Sequence, residues 1–457
     1  MSGLENKKYF LVGIGGAGMS AIALVLKGMG FKVAGSDIKE SRYTKILENE
    51  GIGIHIGHKK ENISGFDAIV YSAAIPKNNV ELEEARNKNL KIYSRSDILA
   101  LILNSRKGIA VSGTHGKTTT TSMISLLLRG LGVDPTIIIG GELNELGSNA
   151  RYGEGKYVVA EACESDGSFL KYAPYISVVT NIENDHIDFY KNYSNLRKSF
   201  LRFINNTSKD GHCVINGDEI KLDQEELDPH IVTYGIEENN HIYAKNIKFK
   251  NFSSSFNLVG GGLEEMVKVE LNIPGIHNIK NSLAAFSVCY CLGLDLGKAA
   301  EILKFFTGVK RRFEKKGEKK GALIFDDYAH HPSEIKATIK AAVSEKDKRI
   351  ISVFQPHRYS RLSNLLGKFG DCFHNTDVLI ITDVYGAGEQ PLPGINGKAL
   401  VDDLIENDFG KKLVYIPKID DISMYLDAHL QEKDLVLLMG AGDITRVTDD
   451  LLKIKNE

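Results

Sequence analysis

Twice this chain runs from an apolar strand through a glycine loop into a helix, and that pattern leaves few architectures open. Residues 10–20 read FLVGIGGAGMS, and residues 108–120 read GIAVSGTHGKTTT. In each loop, small residues let backbone N–H groups close around an anion, and the following helix N-terminus adds a favourable dipole. A strand that hands over to a helix returns parallel to itself, so helices must cover the faces of a mostly parallel sheet. The sequence therefore predicts a doubly wound α/β protein with two phosphate sites rather than one.

Periodicity divides the 457 residues into three blocks. Block 1–106 is predicted as a Rossmann-like domain. Its strands are Tyr9–Val12, Lys32–Gly35 and Ala68–Ser72, and its helices Ala17–Met29 and Val80–Lys88. Block 107–311 is predicted as a P-loop ATPase-type domain with a mostly parallel sheet. It carries strands Gly108–Ser112, Tyr157–Ala160 and Ile176–Thr180, and a helix from the GTHGKTTT loop to about Arg129. Within it, Val267, Val269, Leu271 and Ile273 alternate with other residues, which marks a small antiparallel part. A helix is expected from near Asn278. Block 312–457 returns to a Rossmann-like alternation, with central strands at Ala322–Phe325, Ile350–Phe354, Val378–Thr382 and Leu435–Met439. The lysine-rich EKKGEKKG after Phe313 reads as a solvated hairpin tip, and hinges are expected near residues 107 and 311.

The net charge of −2 supplies no field to recruit nucleic acid, and no apolar run is long enough to span a bilayer. Cys163, Cys213, Cys289, Cys291 and Cys372 show neither zinc-type spacing nor a disulfide framework. They read as reduced thiols, and the N-terminus shows no signal-peptide apolar region. The expected location is the cytoplasm.

The second loop carries the chemistry. Gly113-Thr114-His115-Gly116-Lys117-Thr118-Thr119 has a lysine placed to reach β/γ-phosphates and a Thr118 hydroxyl suited to Mg²⁺. Val111 stands where the general pattern has glycine. A magnesium nucleotide also needs acids. The strand KYVVAE ends in Glu161, with Glu164 and Asp166 nearby, and the next strand runs into Glu183, Asp185 and His186. Carboxylates at the ends of parallel strands beside a P-loop are where metal ligands belong. Helix capping and loop solvation are the alternative uses for each.

These residues resemble the Mur ligase family. Its pattern is GTxGKT, a Glu-ended strand, TNxxxDH and HNxxNxxAA. The chain matches at Gly113–Thr118, Glu161, Thr180–His186 and His277–Ala285. DDYAHHP (326–332), FQPHRYSR (354–361), DVYGAGE (383–389) and GAGD (440–443) extend the resemblance over essentially the whole chain. One departure is Cys163, where the family's EADESD has Asp. The Val111 variant loop fits the family.

The resemblance implies an ATP-dependent amide ligase that makes a peptidoglycan precursor. Within the family, the motif set points to addition of L-alanine to the lactyl carboxylate of UDP-N-acetylmuramate, through an acyl phosphate. The N-terminal loop would then hold a UDP-sugar, with Gly15, Gly16, Ala17 and Gly18 at the diphosphate and Asp37 near the nucleoside. Ser72 and Asn78 would contact the nucleotide sugar or cap loops. Lys117 would hold phosphates, and Thr118, Glu161 and His186 would hold Mg²⁺, with Mn²⁺ able to substitute.

Asn278 and Asn281 match adenine contacts, with helix capping as the alternative use of either, Asp327 a ribose contact, and Arg312 a phosphate contact in the catalytic set with His330. Tyr328, His330, His357, Arg358 and Arg361 would line the amino-acid side, where guanidinium forks suit a carboxylate. Their alternative is surface ion pairing. Lys198 lies near a position that carries a carbamylated lysine in several relatives, but its spacing assigns no carbamate here. Substrates bind between domains in the family, so the third block is expected to close on the second and exclude water. No nucleic acid or membrane partner is expected, and the assembly state is a monomer or weak homodimer.

Four other readings make different demands. A ligase that reattaches an intact tripeptide to UDP-N-acetylmuramate shares the ATP motifs. A folylpolyglutamate-type ligase leaves the N-terminal block unexplained. An NAD-dependent oxidoreductase leaves the P-loop idle, and a P-loop ATPase switch leaves FQPHRYSR idle.

Overall fold

The computed structural model describes residue 4 and residues 8–221, 230–343 and 348–452. It is a mixed α/β structure with three mostly parallel sheets. The chain divides into two compact units. The first runs to Asn246 and takes in Phe256–Glu270 and Ile279–Phe306. The second holds Ile247–Ser255, Leu271–Asn278 and the chain from Thr307.

The first sheet contains β1 (Lys8–Val12), β2 (Lys32–Asp37), β3 (Gly53–Ile56), β4 (Ala68–Tyr71) and β5 (Lys91–Ser94). They lie in the order β3-β2-β1-β4-β5, all parallel. The chain reverses direction across the sheet at β1, so the glycine loop after β1 sits at the topological switch point, where such sheets bind ligands. Its helices are α1 (Ala17–Gly28), α2 (Arg42–Asn49), α3 (Val80–Asn87) and α4 (Arg95–Asn104). Ser41 and Ser94 close capping boxes on α2 and α4, and Asn79 caps α3. Each cap satisfies N–H groups that have no helical acceptor.

The second sheet is built on β6 (Lys107–Ser112), β7 (Thr136–Leu143), β8 (Ser148–Arg151), β9 (Tyr157–Glu161), β10 (Ile176–Val179), β11 (His212–Asn216) and β12 (His230–Gly235). It continues through β13 (Ile242–Lys250), β14 (Ser253–Gly260) and β15 (Val267–Leu271). The order is β15-β14-β13-β12-β11-β10-β6-β9-β7-β8, with β7 and β8 antiparallel. The helices are α5 (Lys117–Gly130), α6 (Ile187–Tyr190), α7 (Tyr193–Asn205), α8 (Ile276–Cys291) and α9 (Leu296–Leu303). The strand predicted through Ile273 stops at Leu271, ahead of Pro274, which has no N–H for a ladder. One apolar core joins the first two sheets through α1. Met19, Ile22, Val25 and Leu26 pack with Ile138, Ala150, Val158 and Ala160, all at most 5–6 % exposed.

The third sheet contains β16 (Glu314–Lys319), β17 (Ala322–Asp327), β18 (Arg349–Phe354), β19 (Val378–Ile381), β20 (Lys412–Tyr415) and β21 (Asp434–Met439). The order is β16-β17-β21-β18-β19-β20. Helices α10 (Pro332–Val343), α11 (Tyr359–Leu365), α12 (Gly397–Glu406), α13 (Ile419–His429) and α14 (Arg446–Leu452) complete it, and a separate apolar core covers each face. The EKKGEKKG run corrects its sequence reading. Most of it is edge strand β16, antiparallel to β17, and the tip is only Lys320-Gly321. Lysines on an edge strand discourage pairing with other chains. Among the described residues, no helix is long and apolar enough to cross a membrane.

Candidate active site

Helices α2, α3, α4, α7, α9 and α12 each begin under a side-chain cap. Helices α1 and α5 do not, and both start from glycine, Gly16 and Gly116. Their first-turn N–H groups therefore face the glycine loops without a protein side chain to satisfy them. The two loops predicted to hold phosphates are thus built to take an anion from outside the chain.

The loop between β6 and α5 is clamped by the end of β10. Gly113 has φ +135°, and a Cβ there would lie 2.0 Å from Thr180 Oγ1. Thr180 Oγ1 donates to His115 O at 2.5 Å, and Asn181 Oδ1 accepts from His115 N at 2.9 Å. Glu183 N donates to Thr114 Oγ1 at 2.9 Å, and the Glu183 carboxylate lies 3.4 Å from His115 Nε2. The TNIENDH run is therefore the outer wall of the P-loop. Gly116 has φ +81°, and its missing Cβ leaves room for Asn281 Oδ1, which also accepts from Thr120 Oγ1 at 3.2 Å. Asn281 thus reaches the loop from α8. Asn278 Nδ2 donates instead to Pro274 O at 2.7 Å.

Lys117 folds back over its own loop. Its Nζ donates to Gly113 O at 2.5 Å, Thr114 O at 3.0 Å and Glu164 Oε1 at 2.9 Å. Burial alone would favour the neutral amine, but the Glu164 carboxylate outweighs it and holds the pKa above its usual value. Glu164 is 1 % exposed. Burial pushes it up, and the Lys117 charge with the His186 hydrogen bond brings it below the ordinary carboxylate value. Its Oε2 is buried without a partner among the described residues. His186, at φ +55°, places Nε2 3.5 Å from Glu164 Oε1. Tyr190 donates its hydroxyl proton to Glu164 O.

Glu164 is the carboxylate that the sequence named only as a neighbour of Glu161, and the structure makes it the lysine's partner. Glu161, the last residue of β9, lies opposite Val111 of β6 and accepts from Gly140 N at 2.6 Å. Cys163 is partly buried, its thiol 3.0 Å from Ser165 Oγ. Burial and then Glu164 push its pKa up, so it stays protonated.

At the first glycine loop, Asp37 does not simply end β2. Its Oδ2 accepts from Gly15 N at 2.8 Å, and its Oδ1 accepts from Ile38 N. Gly13 N and Ile14 N donate to Ser36 O. The end of β2 therefore holds the loop's shape, while the N–H groups of Ala17 and Gly18 open α1. Ser72 Oγ accepts a long bond from Ala74 N, a loop-capping use, and α3 is capped by Asn79 rather than Asn78. Arg95, which sequence reading did not single out, has its guanidinium 2.8 Å from where a Gly18 Cβ would lie. It also lines a cavity of about 660 Å³ with Tyr71, Lys77, Arg86, Ser94 and Asp166.

The second unit gathers a separate cluster at the ends of β17, β18 and β21. Arg311 and Arg312 lie over the Tyr328 ring at 5.0 and 5.1 Å. Glu334, in the first turn of α10, accepts from His330 N at 3.0 Å. His357 Nδ1 lies 3.0 Å from Arg361 NH1, and its ring stacks on Tyr385. Arg358, at φ +68°, donates its N–H to Tyr385 O. Burial drives the His330 pKa down to about 4. Burial, then His330 and the neighbouring arginines, drive His357 to about 3. Both imidazoles are neutral at pH 7, so His357 Nδ1 accepts from the Arg361 guanidinium. Burial raises Asp327 to about 6, against Arg312, and its two oxygens accept from Phe313 N and Ala329 N. The cluster offers arginine forks and neutral imidazoles in one place, a suitable environment for a small carboxylate that carries an amine.

Three family models match in order: Mur ligase family, catalytic domain at residues 8–107; Mur ligase middle domain at 111–289; and Mur ligase, glutamate ligase domain at 311–442. The UDP-N-acetylmuramate–L-alanine ligase of Pelotomaculum thermopropionicum is 44 % identical over 455 residues, covering 98 % of both chains. That of Caldanaerobacter subterraneus is 44 % identical over 451 residues, covering 98 % of this chain and 97 % of its own. The crystal structure of the UDP-N-acetylmuramate–alanine ligase of Thermotoga maritima superposes with a TM-score of 0.82 at 29 % identity, covering 98 % of each chain. A murein peptide ligase from Psychrobacter arcticus shares the fold, with a TM-score of 0.72, 23 % identity and 98 % of each chain covered.

Proposed function

The chain belongs to the Mur ligase family, and from that premise we infer that it is the ADP-forming ligase that joins L-alanine to UDP-N-acetylmuramate. The observation that carries this reading is the pair of glycine loops whose helices start from Gly16 and Gly116 without a side-chain cap, one of them with Lys117 held over it. One loop suits ATP and the other the diphosphate of a sugar nucleotide. The blocks 1–106, 107–311 and 312–457 are the corresponding domains, supported by the spans of the three family models.

A carboxylate resists attack by an amine because oxide is a poor leaving group. Transfer of the γ-phosphoryl group of ATP to the lactyl carboxylate gives an acyl phosphate and ADP. The amine of L-alanine then adds, and the tetrahedral intermediate expels phosphate. Both partners of the first step are anions, so the protein's part is positioning and charge compensation. Lys117 exchanges Glu164 for the phosphates, and the loop of Gly113, Thr114, His115, Gly116 and Thr119 forms their cradle, with the N–H donors coming from the start of α5.

The donor set of Thr118, Glu161 and His186 fits Mg²⁺, because hydroxyl and carboxylate oxygens suit a hard cation and Glu161 is already oriented by Gly140. When bound, the ion neutralises phosphate charge. Mn²⁺, which accepts the same oxygens and takes imidazole more readily, is the proposed substitute.

Gly15, Gly16, Ala17, Gly18 and Asp37 serve the UDP-sugar, with Ser72 and Asn78 beside them. Asn278, Asn281 and Asp327 serve the ATP nucleoside, and Arg312 its phosphates. Tyr328, His330, His357, Arg358 and Arg361 hold L-alanine. His330 is neutral, so it places no positive charge beside the attacking amine. Nucleotide substrates and five free cysteines support a cytoplasmic location. The proposed assembly is a monomer or weak homodimer that needs no nucleic acid or membrane.

Phosphate release with ATP and Mg²⁺ tests the assignment. It requires both UDP-N-acetylmuramate and L-alanine, and Lys117→Ala abolishes it. Turnover only with the tripeptide, or without the sugar nucleotide, overturns it.

A further inference from the structure

The antiparallel hairpin β7–β8 touches the start of α1, after the first glycine loop, and Glu161, at the end of the strand beside the P-loop strand. At one end, Asn149 is 2 % exposed, and its Nδ2 donates to Ala17 O at 2.5 Å and lies 3.4 Å from Ser20 Oγ. Ala17 is the first residue of α1, where the diphosphate would sit. A second anchor lies nearby. Glu142 is 7 % exposed and accepts from Arg42 NH2 at 2.6 Å. Arg42 follows Ser41, whose Oγ donates to Gly15 O.

At the other end, the β7–β9 ladder stops at Ile138↔Ala160, and the next contact is made by a side chain, with Gly140 N donating to Glu161 Oε1 at 2.6 Å. A Cβ on Gly140 would stand 2.8 Å from Glu161 Oε2, so the carboxylate lies hard against this backbone. The β7–β8 register shifts between Ile138 and Leu143, so Gly140 and Glu142 share an irregular segment that leaves the ladder.

We propose that this hairpin links the two sites: Asn149 and Glu142 follow the position of the sugar-nucleotide loop, and Gly140 passes it to the Glu161 carboxylate at the ATP site. Asn149, Glu142 and Gly140 are positioning residues, since none is assigned a contact with substrate. The inference rests on the UDP-sugar and Mg-ATP assignments above. Its consequence is reciprocal. Occupying one loop changes affinity at the other by the same factor in both directions.

The test is calorimetric titration of the full chain with a non-hydrolysable ATP analogue and Mg²⁺, with and without saturating UDP-N-acetylmuramate, and then the reverse order. In the wild type, each ligand changes the other's Kd at least about fivefold and by the same factor. Asn149→Ala and Glu142→Gln each reduce that factor at least about twofold, and the double variant brings it to one. Each ligand measured alone keeps its affinity within about twofold. A residue that only stabilised the fold would move Tm and leave the factor unchanged. If N149A loses its cooperative unfolding transition, E142Q at the separate anchor carries the test. A wild-type factor of one, or a factor unchanged in both variants, overturns the link while leaving the ligase reading intact. Failure of the wild type to bind either ligand overturns the ligase reading, and the link with it.

Discussion

Replacing Glu164 with Gln tests how the P-loop lysine is held. In the wild type, the Lys117 ammonium sits 2.9 Å from a carboxylate that is 1 % exposed. Removing one member of a buried pair leaves the other charge uncompensated, which typically costs 3–5 kcal/mol. Lys117 keeps Gly113 O and Thr114 O as acceptors, which places the expected loss at the lower end, about 3 kcal/mol. For a large domain, that lowers Tm by about 6 °C or more.

The pH dependence carries a definite sign. Glu164 titrates below its ordinary value in the folded protein, so its contribution is complete above the unfolded value near 4.5 and lost as pH falls below it. Lys117 is raised, so its contribution is complete below about 10.5 and lost as pH rises beyond that. The Tm difference between E164Q and the wild type is therefore full at pH 7.5 and shrinks toward pH 4. Differential scanning calorimetry at both pH values measures it. Combining E164Q with Lys117→Ala, the cycle yields less than the sum of the single losses. An E164Q Tm equal to the wild type at pH 7.5, or a difference that does not change toward pH 4, refutes the reasoning.

Gly113→Ala forces a Cβ within 2.0 Å of Thr180 Oγ1; the variant folds, and Mg-ATP analogue no longer raises Tm, read by thermal shift. Arg361→Ala removes a guanidinium partner of the amino-acid carboxylate, a charged hydrogen bond worth about 1.5–3 kcal/mol; KM for L-alanine rises about 10–100-fold while KM for ATP holds, read by steady-state kinetics. His277, His330 and His357 titrate near 4, 4 and 3 when folded against 6.5 unfolded. The unfolded chain therefore binds more protons between pH 6.5 and about 4, and stability falls as pH falls through that window. Asp327, raised to about 6, opposes this with one group against three. Scanning calorimetry from pH 7 to 4.5 shows the decline, and H330N/H357N flattens it.

Much of this fold was legible in the sequence because its signals are local. Strand, glycine loop and helix follow one another within 15 residues, and Glu161 lies at a strand end whose neighbour in the sheet is the P-loop strand. What was hidden depends on residues far apart in the chain. Nothing local distinguishes Glu164 from Glu161 or Asp166 as the partner of Lys117. That choice is made by the turn through Gly167, at φ +69°, and by Tyr190 holding Glu164 O. Asp37 turns onto Gly15, 22 residues away, and Asn149 reaches Ala17 across 132 residues. The lysines of EKKGEKKG suggest solvent, and they do meet it, but from an edge strand whose strand partner is apolar β17.

The acyl phosphate is the central claim, and isotope transfer tests it most directly. UDP-N-acetylmuramate labelled with ¹⁸O in the lactyl carboxylate is turned over with ATP, Mg²⁺ and L-alanine, and the released phosphate is analysed by mass spectrometry. Activation of that carboxylate predicts one ¹⁸O in the phosphate for each ADP formed, with the other retained in the new amide. Phosphate that carries no label would mean that ATP is hydrolysed by water, and would contradict the account.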